Sequence, residues 1–210
     1  MLLAAILAVA ALAVALSLRP WRLLSAQHAL LSPLLATLVV LPWLWALPAL
    51  HHAPLQLQWS GAVLVLLMLG WPLAIPVLLA VAAISHFLSP ALNWQAALGL
   101  AVWQGVVPAT LALLWGALLR RWCWHNIFVF ILARGFLGTV LSVFIATLLG
   151  QAAGHVLPSI NEDLSRLARW LMAWGDGVIT GMLTAVFVVF KPQWMATWSD
   201  AIYLEEPPGP

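Results

Sequence analysis

His51, His52, His86 and His155, together with Asp176, are the side chains of this chain best suited to hold a ligand. Imidazole is the commonest neutral ligand for zinc, nickel, cobalt and copper, and an acid beneath such a cluster would add charge to a capture site for a divalent cation. The plainer reading of a His-His pair is a solvated loop. Asp176 is the more unusual residue, because it interrupts the apolar run from Ala168 to Lys191. A run of that length matches the ~30 Å hydrocarbon core at ~1.5 Å per helical residue. A carboxylate inside it is costly, so it is expected to face protein or water and not lipid. Thr180 and Thr184 continue its face at i+4 and i+8, and Gly177 and Gly181 form a GxxxG pair that lets a second helix approach closely.

Other chemistries find little support. The chain has no HExxH, no GxSxG and no closely spaced catalytic dyad, so an enzyme is not expected. Its single lysine is Lys191 and no GxxxxGK[ST] is present, so ATP-driven work would fall to a partner. Cys123 stands alone, which leaves neither an internal disulfide nor a cysteine metal cluster. No covalently bound cofactor is expected, and a divalent metal ion would enter as substrate.

The elements that must position these groups are membrane helices. Hydrophobic residues make up 65% of the 210, charged residues only 7%, and mean hydropathy is +1.06, which places the chain outside the soluble class. Its apolar runs are continuous and lack the alternation of a barrel strand, so the predicted fold is all-α with about seven transmembrane helices. These are Met1 to Leu18, His28 to Leu50 bent or broken near Pro42 and Pro48, a pair of short helices at about 58–69 and 73–88 divided by Gly70-Trp71-Pro72, Trp94 to Leu119 kinked at Pro108, Ile127 to Gly150, and the run through Asp176. Residues 1–191 form one integral membrane domain and 192–210 a short cytoplasmic tail, rich in proline and acid and expected to be partly disordered.

Seven spans with the N-terminus outside put Arg19, Arg22, Arg120, Arg121 and Lys191 on the cytoplasmic side, as the positive-inside rule requires. His51, His52, His86 and His155 then fall at or near the outer face. Arg166 and Arg169 are the exceptions, and Glu162 and Asp163 are their candidate partners. The fourteen tryptophans are expected mainly as interfacial anchors. Arg134 lies within the sixth span: it either pairs with Asp176 or reaches toward the inner surface, leaving Asp176 alone beneath an outer cavity. The charge pattern gives no support to nucleic-acid binding, and the lipid bilayer is the expected surrounding.

Three segments carry a resemblance: LQWSGAVLVLLMLGWPLAI (57–75), HNIFVFILARGFLG (125–138) and DGVITGMLTAVFVVFKPQW (176–194). In order and spacing over residues 23–204 the chain resembles the CbiM family, the membrane substrate-capture subunits of energy-coupling factor transporters for cobalt and nickel. The resemblance implies an inner-membrane subunit that takes a metal ion from outside and works with a transmembrane coupling protein and cytoplasmic ATPases. Arg120 and Arg121, with the Gly177 and Gly181 ridge, are the candidate contacts with that coupling protein. This chain departs from the family's ligand set. Metal-binding members begin Met-His where this one has Met1-Leu2, Gln58 stands at a family histidine position, and the family's last-helix acid aligns with Thr180, one turn from Asp176. The expected site is therefore an outer cluster of His51, His52, His86 and His155 above Asp176. The rival expectations are an accessory or scaffold subunit that has lost the metal ligands, and a channel or carrier for another solute.

Overall fold

The computed structural model describes residues 1–50, 59–89, 91–122, 126–154, 162–199 and 203, and gives no side-chain detail at 26, 49, 50 and 162–165. Among these residues every regular element is a helix. Helix α1 is Leu2–Ser17 and α2 is Trp21–Ala26; a 3-10 turn, His28–Leu30, leads into α3, Leu31–Leu50. Helix α4 is Ala62–Leu69 and α5 is Trp71–Leu88. Helix α6, Trp94–Leu100, continues through a wide π-type stretch, Ala101–Val106, into α7, Val107–Trp122. A second π-type stretch, Val129–Leu137, opens α8, Gly138–Ala152; α9 is Glu162–Phe190.

Five of the described helical stretches are long and apolar enough to cross a membrane: His28–Pro48, Trp71–Leu88, Trp94–Trp122, Val129–Ala152 and Arg166–Phe190. Helix α1 has 16 residues and α4 only 8. The predicted pair of short helices is thus corrected: α4 alone is short, and α5, with 18 residues, is of spanning length. Gly70 separates them at φ 75°, ψ 156°, a conformation that a side chain would strain, and Pro72 follows in the first turn of α5. Helix α3 carries Pro42 and Pro48 without ending at either, so that span is not broken there.

Helix α4 is the centre of the bundle. Its sequence, AVLVLLML, is apolar on every face, and every one of its residues is buried. A helix with that composition needs protein or lipid all round. It packs against α3, α5, α7 and α9. Its direction matches that of α9: residues just before α4 meet the middle of α9, and residues just beyond the end of α9 meet the last turn of α4. Helices α8 and α9 run antiparallel, with Thr147 beside Arg169 and Gly135 beside Thr184. Their seam holds the GxxxG pair: a Cβ at 177 would stand 2.5 Å from Val140 Cγ2, and one at 181 would stand 3.1 Å from Phe136 Cβ.

The chain just after Lys191 packs on the end of α4. Pro192–Trp194 forms a 3-10 turn, and the backbone amides of Ala196 and Thr197 donate to the carbonyls of Met68 (2.9 Å) and Leu67 (3.3 Å), while Thr197 Oγ1 adds a bond to the Leu67 carbonyl at 2.8 Å. These satisfy carbonyls that the last turn of a helix leaves without partners. Not all tryptophans are interfacial anchors either. Trp45 is fully buried, and Trp103 is buried with its indole against Gly150.

Candidate functional site

A buried polar node lies where α4 begins, deep within the bundle. Gly61, at φ 63°, turns the chain into α4, and a Cβ there would stand 2.9 Å from Leu41 Cδ1. Just before it, the Ser60 amide donates to both carboxylate oxygens of Asp176, at 3.1 and 3.3 Å. The Ser60 hydroxyl donates to the Gln104 carbonyl and accepts from the Ala62 amide at 3.3 Å. The Ser60 carbonyl accepts from Trp45 Nε1 at 3.1 Å. Pro108 has no amide, so the α-type bond to the Gln104 carbonyl cannot form. Four elements, α3, α7 with its π-type stretch, α9 and the entry to α4, therefore meet at one serine.

The electrostatics of the node follow from its position. The start of a helix carries a partial positive charge from aligned peptide dipoles and unsatisfied amides, so a carboxylate there is favoured. Asp176 and Ser60 are both buried, and so are Thr180 and Thr184 on the same face of α9. The hydroxyls of the two threonines have no hydrogen-bond partner among the described residues. Asp176 stands about midway along α9, ~20 Å from either end. The carboxylate faces protein, as its cost in lipid requires.

Of the residues expected to form the metal site, His51, His52, His155 and Gln58 lie outside the described residues. His86, near the end of α5, is half-buried; its Nδ1 shares a hydrogen bond with the Leu92 carbonyl, and its ring packs on Trp94 with centroids 4.1 Å apart. It fastens the α5–α6 connection. Among the described residues no three His, Cys, Asp or Glu side chains come together as metal ligands. Arg120 and Arg121 are exposed at the end of α7. Gly177 and Gly181 are buried against α8 and the π-type stretch before it, so the ridge serves packing within this chain.

Arg134 and Asp176 do not pair. Nη1 of Arg134 donates to the Tyr203 hydroxyl at 3.4 Å, and the guanidinium carbon Cζ lies over the Phe130 ring, 5.4 Å from its centroid. Arg169 is buried, and its Nη1 donates to the Thr147 carbonyl at 3.0 Å. Ser60, Gln104 and Trp45 were not singled out by the sequence. One signal was legible: a Ser-Gly pair directly before an eight-residue apolar run is a helix-start pattern. Compared with protein-family models, with curated proteins and with solved structures, the chain matches none.

Proposed function

We propose that this chain is the substrate-capture subunit of a multi-pass membrane transporter, taking up a divalent transition-metal ion of the cobalt or nickel class. On this reading α1 and the segment carrying α4 cross the bilayer with the five longer helices. That makes seven passes, with the N-terminus outside and Arg120, Arg121 and Lys191 at the cytoplasmic face of the bacterial inner membrane. One observation carries the reading: an eight-residue helix begins beside a buried carboxylate in the middle of the bundle. Interrupted helices whose ends meet near the bilayer midplane are a common way for transporters to build a binding site. The ion class rests on the CbiM resemblance and on the imidazoles of His51, His52, His86 and His155. The coupling protein and the ATPases are partners on the same ground, with Arg120 and Arg121 as the contact surface.

A second reading, an accessory subunit that carries no ion, draws on the fate of two expected ligands. Asp176 is engaged by the Ser60 amide and His86 by the Leu92 carbonyl, so each already has a structural task. Titration calorimetry on the purified chain with nickel, cobalt and zinc separates the two. Uptake predicts saturable heat with at least one ion, reduced about tenfold or more in affinity by the paired His51→Ala and His52→Ala changes. Absence of heat with all three ions supports the accessory reading.

A further inference from the structure

Arg134 is the least compensated charge in the described chain. Only 5% of its surface is exposed, its Nε has no hydrogen-bond partner, and its only polar contact is the Tyr203 hydroxyl at 3.4 Å, on the long side for such a bond. Among the described residues no carboxylate reaches it. Arg120, of the same sign, follows Gly116 by one turn of α7 and so lies on the helix face that meets the guanidinium. A buried guanidinium without a counter-ion is costly, and a second cation beside it adds to that cost. The surroundings keep the group in place: a Cβ at 116 would stand 2.7 Å from Arg134 Nε, so the glycine in α7 is what admits the side chain. The Phe130 face and the stacked pair Trp198 and Tyr203, 4.8 Å apart, wall the other side.

We propose that Arg134 and Arg120 form a binding site for a phosphate-type oxyanion at the end of the bundle where α7 finishes. The guanidinium fork matches two phosphate oxygens, and Arg120 adds a second positive charge. The depth fits: Arg134 lies only about 7 Å inside the start of the Val129–Ala152 span, within an arginine's length of the headgroup layer. Basic pockets between helices near the cytoplasmic surface suit anionic phospholipid headgroups. The site is independent of what the protein carries.

The test is thermal unfolding of the full chain in nanodiscs of phosphatidylcholine alone or with phosphatidylglycerol, and separately in detergent with added inorganic phosphate. Phosphatidylglycerol should raise the midpoint by about 2–4 °C or more, and Arg134→Gln should abolish that rise. Arg120→Gln, an exposed change that leaves the core intact, should diminish it, whereas Arg19→Gln, at the end of α1, should keep it. A rise with inorganic phosphate as well would mark the free ion as sufficient; a rise with lipid alone would mark the headgroup as the source. Equal midpoints in all media for the parent chain, or an equal loss in Arg19→Gln, would overturn the proposal.

Discussion

At the scale of single residues, the strongest constraint is the bond between Asp176 and the Ser60 amide. A hydrogen bond to a charged acceptor contributes about 1.5–3 kcal/mol, and removing the acceptor leaves a buried donor unpaired. Asp176→Ala should therefore lower the thermal midpoint in detergent by several degrees, with Asp176→Asn, which retains a carbonyl oxygen, falling between it and the parent. Equal midpoints for all three would show that the carboxylate does not hold α4. The acid was legible in the sequence as an exception within an apolar run, and its facing protein followed from its cost in lipid. Its partner was not, because a backbone amide has no side-chain signature and Ser60 is 116 positions away. The same holds for Arg134, whose partner Tyr203 lies in a stretch that composition marks as tail.

Among the elements, α9 provides its own internal comparison. Gly177 and Gly175 are two residues apart, but a Cβ at 177 would stand 2.5 Å from Val140 whereas nothing lies within 4 Å of one at 175. Overpacking a tight seam costs about 1–3 kcal/mol, while alanine in place of an unpacked helical glycine contributes up to about 1 kcal/mol of stability. Gly177→Ala should thus unfold at lower temperature than the parent, and Gly175→Ala at the same or higher temperature. A reversed order, measured by the same melt, would contradict the helix seam described. The long spans were legible because ~20 consecutive apolar residues leave little alternative. The boundary at Gly70 was legible too, but the relative lengths of the helices beside it were not: Trp71-Pro72 read as an interruption, whereas in the fold they form the first turn of α5.

For the whole molecule, the residues after α9 tie the core together. Ala196 and Thr197 donate to α4, and Trp198 packs edge-on against Phe130 at 5.0 Å and stacks on Tyr203. A chain ended after Lys191 loses these contacts while keeping every spanning helix. Its α4 amides should exchange with deuterium at least tenfold faster than in the full chain, with smaller change at the α8–α9 seam. Unaltered exchange in α4 would show that the tail is incidental to the bundle. Both ends of α4 depend on partners made much later, one 116 and the other 130 positions downstream. During synthesis the innermost segment therefore precedes Asp176 and Thr197 by more than a hundred residues, and until those follow, its serine amide and its final carbonyls must be satisfied by water, by lipid headgroups or by the insertion machinery. The segment at the centre of the bundle is thus made early and closed late.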